Sequence, residues 1–267
     1  MPPPITWPTA MFDIPGSQLE PTLYFWLGVP GSTLSAWRGD DREYATLLPP
    51  DGDPYLRVQR SVSVVPRIHL DLHIAADPGY STVAERATAL GATVQHQAPH
   101  HVVLSSPGGY VFCLVRDQGE AQRPSPYGSS RGTSLVDQLT LDVQDDCFDA
   151  EVTFWSELTG WGAHTGSRSE FVALERPAGI PLRLMLQRLN ATGDGAHAPG
   201  VTSHLDLATH PHREALTREH VSHGAHLVSS GAMWSTLTDP GGSTYCLTDR
   251  DPGTGFLPSA VVPDVLQ

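Results

Sequence analysis

Between residues 67 and 74 apolar and polar positions alternate without a break. Ile68, Leu70, Leu72 and Ile74 fall on one side, Arg67, His69, Asp71 and His73 on the other. That period of two predicts a half-buried strand. Residues 81–90 carry helical spacing and stop at Gly91, a residue suited to the position after a helix end. Residues 102–104 and 110–115 read as strands flanking the turn Ser106-Pro107-Gly108-Gly109. The predicted order is strand, helix, then several strands.

The same order returns downstream. Residues 135–143 read as a strand, 149–158 as a helix stopped by Gly160, and 171–174 and 182–186 as further strands. Residues 5–60 match that stretch: Phe25-Trp26 with Phe154-Trp155, Glu43 to Leu47 with Glu170 to Leu174, and Gln59-Arg60 with Gln187-Arg188. A plainer duplication lies over it. His69-Leu70-Asp71-Leu72 returns as His204-Leu205-Asp206-Leu207, and Phe112-Cys113-Leu114 as Tyr245-Cys246-Leu247, at offsets of 204 − 69 = 135 and 246 − 113 = 133. Repeats of this kind decide the fold before any single element does. Four β-α-β-β-β modules are expected, paired into two domains over 1–117 and 135–251. A Pro-, Gly- and Ser-rich linker over 118–134 joins them, and a tail over 252–267 follows.

A chain of 267 residues has room for two domains of ordinary size. Apolar residues make up 39% and charged ones only 17%, which excludes a disordered chain. The net charge of −13 argues against nucleic acid, which needs clustered cations, and against anionic membrane surfaces. No apolar run is long enough to span a bilayer, and the N-terminus lacks a signal-peptide pattern. Three cysteines make no disulfide framework, so a reduced, cytoplasmic protein is expected.

Four such modules, each pair carrying a Pro-Gly-Gly turn before its last strand, resemble the vicinal oxygen chelate superfamily of glyoxalase I, bleomycin-resistance proteins and extradiol dioxygenases. The His-Leu-Asp-Leu strand and the Phe-Cys pair resemble its bacterial glyoxalase-like branch. The resemblance implies an α+β fold in which paired modules form two cupped mixed sheets, helices outside and ligand within. Apolar side chains must then face the helices. The polar rows His69, Asp71, His73 and His204, Asp206 are left to face the cups. Superfamily metal ligands come from first and last strands. Those positions map to Gln138, His204 and Cys246 in the C-terminal domain, and to Thr9, His69 and Cys113 in the N-terminal one. Cys stands at the acidic position in both, and neither set supplies the two imidazoles and one carboxylate of a redox iron site. No cofactor is therefore expected. A divalent metal at Gln138 and His204, with Cys246 as thiolate, is the disfavoured alternative. Asp71 or Asp206 would complete such a site only off the superfamily pattern.

The expected function is binding of a small organic metabolite or antibiotic in a cup. His204 with Asp206, and His69 with Asp71, are the candidate acid–base pairs. Gln138, Gln187, Trp234, Gln59, His73, His101 and Cys246 are the candidate ligand-binding residues, Trp234 aligning with His101 at 234 − 101 = 133. The acidic surface suits a cationic ligand. The rival readings are a metal-independent isomerase, lyase or cyclase of secondary metabolism, and a metal-dependent glyoxalase or dioxygenase. Each signal also has a bland account. A His-x-Asp pair is equally at home as a buried hydrogen-bonded pair, and a strand Cys as a small hydrophobe. His220, His223 and His226 read as an exposed helix end rather than a zinc spacing. The Pro-Gly-Gly turns lack the Lys-Ser/Thr of a phosphate loop. A monomer or homodimer is expected, since two domains in one chain replace the dimer of two-module relatives.

Overall fold

The computed structural model describes residues 5–166, 168–189 and 200–258. The first module runs Ile5–Pro15 (β1), Leu19–Gly28 (α1), Thr33–Leu34 (β2), Tyr44–Leu48 (β3) and Leu56–Ser61 (β4). The second runs Arg67–Ile74 (β5), Gly79–Ala89 (α2), Thr93–Ala98 (β6), His101–Ser105 (β7) and Val111–Arg116 (β8). After a short strand Tyr127–Gly128 (β9), the third runs Thr133–Gln144 (β10), Phe148–Thr159 (α3), Ala163–Thr165 (β11), Phe171–Leu174 (β12) and Arg183–Leu189 (β13). The fourth runs Thr202–Ala208 (β14), Arg213–Ser222 (α4), His226–Ser230 (β15), Trp234–Thr238 (β16) and Thr244–Thr248 (β17). The pairing is as expected. One sheet orders β2-β3-β4-β1-β5-β8-β7-β6 and the other β11-β12-β13-β10-β14-β17-β16-β15, so two modules share each mixed sheet. Of the expected tail, residues 259–267 lie outside the described residues.

The sequence period sets which face is which. Ile68, Leu70, Leu72 and Ile74 are buried in the core, as are Leu205 and Leu207 in the second copy. Helix α3 ends where Gly160 takes φ +69°, a backbone setting that costs glycine nothing. Strands β2, β6, β11 and β15 are short sheet-edge elements whose residues are almost all exposed, and they carry no alternation to read.

The helices do more than cover their own sheets. On α1, Phe25 and Trp26 pack against Tyr245 of the fourth module at ring separations of 5.7 and 5.4 Å. On α3, Phe154 and Trp155 pack against Phe112 of the second at 5.8 and 5.0 Å. Modules therefore join through sheets within a domain and through helices between domains, and one hydrophobic cluster runs through both. His220, expected at the surface, is 2% exposed and lies against Phe25 and Tyr245. Burial drives its pKa down to about 4, so it is a neutral core residue, while His223 and His226 are exposed.

Candidate functional site

Strand register assembles the same constellation on both cup floors. In the first, Met11 stands opposite His69, Thr9 opposite Asp71, and Asp71 beside Cys113. In the second, Thr140 stands opposite His204, Gln138 opposite Asp206, and Asp206 beside Cys246. A carboxylate on the neighbouring strand completes each. Asp13 lies 2.9 Å from His69 Nδ1, and Asp142 lies 2.8 Å from His204 Nδ1. On the other side, Nε2 lies 3.5 Å from Asp71 Oδ1 in the first cup and 3.4 Å from Asp206 Oδ1 in the second. Sequence reasoning missed Asp13 and Asp142. The available signal was their shared place, four residues beyond Thr9 and Gln138 on one strand face, 13 − 9 = 142 − 138 = 4.

An imidazole between two carboxylates is held as a cation. Burial alone would lower the pKa of His69, but hydrogen bonds to Asp13 and Asp71 hold it well above the ordinary histidine value. Burial is likewise outweighed at His204, by the charges of Asp142 and Asp206. Burial would raise the Asp206 carboxyl, yet the His204 charge brings it to about 2. Burial opposes ionisation of Asp71 in the same way, and its hydrogen bond to His69 reverses the direction. In this state each histidine is a proton donor; the base role expected for it requires that proton to leave first.

The two cups differ above the floor. The N-terminal cup holds a cavity of about 530 Å³, bounded by Met11, Tyr44, Thr46, Leu48, Arg38 and Arg57 and roofed by Gln118 to Glu120. In the C-terminal cup the chain's own side chains fill the floor. Arg183 Nε donates to Gln138 Oε1 at 2.9 Å and Arg250 donates to the same oxygen at 2.5 Å. Phe171 meets Trp234 across the cup at 6.2 Å, and Arg168 lies over the Trp234 ring.

The expected ligand-binding residues are scattered by this difference. Gln138, with its amide nitrogen donating to Thr140 at 2.9 Å and to Asp206, has no atom to offer a ligand. His73 is fully buried between Thr9 at 3.1 Å and Glu120 at 3.1 Å, beneath the roof rather than on the wall. Gln59 stands one shell back, donating to the Tyr44 hydroxyl at 3.4 Å. His101 lies near His96 on the outer strands, 6.0 Å between rings, away from the cavity. Trp234 seals the second cup, Gln187 pairs with Asp142 and Phe171 along its strands, and Cys246 lies 3.6 Å from Thr236 Oγ1. Arg38, Tyr44 and Arg57, which do line the cavity, are missing from the expected set.

The superfamily implies a divalent metal, so the donor set bears testing. Gln138 is excluded as a ligand by the two guanidiniums on its oxygen. The off-pattern set fits better. One donor atom each from His69, Asp71 and Cys113 lie within 4.8 Å of one another, as do those of His204, Asp206 and Cys246. Asp71 Oδ1 is buried, and among the described residues it faces only His69 Nε2. Its 3.5 Å separation from His69 Nε2 suits two ligands sharing a tetrahedral ion with bonds of about 2.0–2.3 Å. Asp13 on Nδ1 is the outer carboxylate that orients a metal-bound imidazole. The N-terminal residues thus fit a zinc-class ion, not a two-histidine iron centre.

Comparisons agree with the architecture. The chain is similar in structure to a Mn(II)-bound glyoxalase from Novosphingobium aromaticivorans (TM-score 0.63, 12% identity, 97% of this chain and 90% of that one). It is similar to the 2,3-dioxygenase LapB from Pseudomonas sp. KL28 (0.62, 14%, 97% and 95%) and to a mutant 4-hydroxymandelate synthase from Streptomyces coelicolor (0.59, 14%, 96% and 95%). At such identities the likeness shows the vicinal oxygen chelate fold alone. No curated protein sequence matches the chain. The model of the glyoxalase-like domain matches residues 10–115 and again 138–248, and the chain belongs to that family.

Proposed function

We propose that the protein binds a small organic molecule in its N-terminal cup, with the C-terminal cup serving as scaffold. The observation that carries this is the contrast between two copies of one fold. One keeps a cavity of about 530 Å³, within the range of small-ligand sites, and the other is plugged by Arg183, Arg250 and the Phe171–Trp234 contact. In this reading the cup works without a metal. An imidazolium whose two N–H groups face Asp13 and Asp71 has no free lone pair for an ion. The partner is a small molecule. The −13 charge disfavours nucleic acid, and no described helix is long and apolar enough to cross a membrane. The modules cover one another's helix faces, so a monomer suffices.

A ligand screen by thermal shift tests it. A ligand at a hundred times its Kd stabilises the fold by about 2.7 kcal/mol. Leu48→Trp at the mouth and Met11→Trp on the floor should abolish those shifts while the unliganded protein stays folded. Shifts that survive both variants, or that vanish only on Trp234→Ala, overturn the assignment to the first cup.

The long 3.5 Å separation of Asp71 Oδ1 from His69 Nε2, with Cys113 close by, favours a second reading, in which His69, Asp71 and Cys113 hold a divalent ion. Such an ion supplies Lewis-acid polarisation of a carbonyl or an activated water when bound. Asp13 then orients the imidazole, and Tyr44, whose hydroxyl burial keeps protonated, offers a hydrogen bond from the cavity wall.

A further inference from the structure

We infer that the cavity of the N-terminal cup takes a small organic carboxylate, held between the guanidiniums of Arg38 and Arg57. This rests on the binding reading above and names its ligand class. The chain as a whole is strongly acidic, which by itself points to a cation. The cavity wall points the other way.

The free hydrogen-bonding capacity of the wall is donor capacity. Arg57 gives one nitrogen to Glu120 at 2.9 Å and Gln118 at 3.2 Å, while its Nε is buried with no hydrogen-bond partner among the described residues. Among the described residues the Arg38 guanidinium donates only to neutral hydroxyls, Ser35 Oγ at 3.1 Å and Thr46 Oγ1 at 2.7 Å. The acids on the same wall are already engaged. Glu120 spends one oxygen on Arg57 and the other on His73 at 3.1 Å. Asp53 Oδ2 accepts the backbone N–H groups of Ala121 and Gln122, both at 2.8 Å. A carboxylate answers what is left over, because guanidinium presents paired planar donors at matching spacing. Met11, Leu48 and Pro54 supply apolar surface for the body of such a ligand.

The duplication supplies an independent argument. Structure inherited from the common module is present in both copies, as Asp13 and Asp142 are. Arg57, the buried half of the cationic pair, is not. By strand register Arg57 corresponds to Met185 (185 − 57 = 128), whereas Arg38, whose carbonyl accepts the Tyr44 amide, corresponds to Arg168, whose carbonyl accepts the amide of the matching Phe171. Arg57 therefore belongs to the cup with the cavity alone, while Arg168, at the place of Arg38, lies over the Trp234 ring of the closed cup and faces no open space. Exposed Arg38 at the rim and half-buried Arg57 on the wall form a path that draws an anion inward past the acidic surface.

The test uses the full-length protein and three matched probe series of about ten to fifteen heavy atoms: aryl-alkyl carboxylates, their primary amides, and the corresponding amines. Calorimetric titration at low salt should rank carboxylate above amide by about tenfold or more, with no measurable binding of the amine. Arg38→Gln, at an exposed site, should cost the carboxylates about tenfold and leave the amides unchanged. Arg57→Lys should cost as much, keeping the charge but losing the paired donors. Amines that bind as well as carboxylates, or a carboxylate preference that survives both variants, overturn the inference. Amides that bind equally well and are blocked by Leu48→Trp leave the cavity assignment standing and sink only the ligand class. If no series binds at millimolar concentration, both readings fail together.

Discussion

The indole nitrogen of Trp26 donates to Asp239 Oδ2 at 2.7 Å, across 213 residues of sequence and across the seam between the two domains. Asp239 heads the Asp239-Pro240-Gly241-Gly242 turn of the fourth module, and its other oxygen accepts the backbone N–H groups of Gly241 and Ser243 at 2.9 Å each. The opposite seam carries a counterpart. Glu151 on α3 accepts from Trp155 Nε1 at 2.7 Å and from the backbone of Gly108, in the Pro-Gly-Gly turn of the second module, at 2.6 Å. In each seam a buried carboxylate ties a helix of one domain to a turn of the other. Replacing Trp26 by Phe keeps the ring and strands Asp239 Oδ2. Urea unfolding should show a loss of about 1–3 kcal/mol, the cost of a buried acceptor left unmade. Asp239→Asn in the Trp26→Phe background should recover part of it, because the orphan is then neutral.

The same seams explain the glycines of the repeated turn. A Cβ on Gly241 would sit 2.2 Å from Thr22 Oγ1 of α1, and one on Gly108 would sit 2.7 Å from Val201 Cγ2 and 3.0 Å from Glu151 Oε1. Neither glycine has a positive φ, so close approach and not backbone freedom requires it. Gly241→Ala and Gly108→Ala should each destabilise by about 1–3 kcal/mol in denaturant melts. Thr22→Ala should rescue much of the first, since it removes the clashing atom. Failure of that rescue would mean that the turn, not the helix, dictates the glycine.

What the sequence disclosed follows from where its periods are clean. Alternation at 67–74 and the recurrence of His-Leu-Asp-Leu placed the central strands and the polar floors of both cups, because burial on one face leaves a two-residue signature. The edge strands β6 and β15 left none, their side chains being exposed. His220 misled for the opposite reason: the residues after it, Val221 to His223, are exposed while it turns in onto Tyr245. The floor was legible and the wall was not. His69 and Asp71 repeat as a motif, whereas Arg38 and Arg57 lie on separate elements of the weaker-matching module, with nothing in spacing to join them. Gln138 and His73 had the right strand face, but which partner each finds there is decided by Arg250 and Glu120, residues brought over from beyond the last strand of each domain.

Metal binding in the first cup must compete with protons. A divalent ion needs the Nε2 lone pair of His69, held as a cation by Asp13 and Asp71, and the Cys113 thiolate, which burial disfavours. Affinity for Zn(II) or Co(II) should therefore climb steeply between about pH 6 and 9, two protons leaving per ion. If His69, Asp71 and Cys113 hold the ion, Co(II) added at pH 8 gives a thiolate charge-transfer band in the near ultraviolet, and no band at that pH sinks the metal reading. Cys113→Ser should remove that band. A band that persists in Cys113→Ser and disappears in Cys246→Ser would place the ion in the second cup.

The buried ion pairs also set a pH window for stability, and the two partners act in opposite directions. Asp206 has its folded pKa lowered to about 2, from an ordinary carboxyl near 3.8. Its contribution is fully present above the unfolded value and is lost as the pH falls through about 2. The size is on the order of 2 kcal/mol for one such group. His204 is raised well above 6.5. Its contribution is fully present below the unfolded value and drains away as the pH rises from 6.5 through the folded pKa. The unfolding free energy should therefore peak between about pH 4 and 6.5 and fall on both sides. His69 and Asp71 shift in the same directions and add to both limbs. Asp206→Asn removes the second cup's share of the acid limb. It also leaves His204 with Asp142 alone, so the alkaline decline should still begin near pH 6.5 but end at lower pH and be smaller. Urea midpoints taken at half-unit steps from pH 2 to 9 measure both effects. An Asp206→Asn profile parallel to that of the unaltered protein at every pH would show that the His204–Asp206 pair is not ionised in the folded chain.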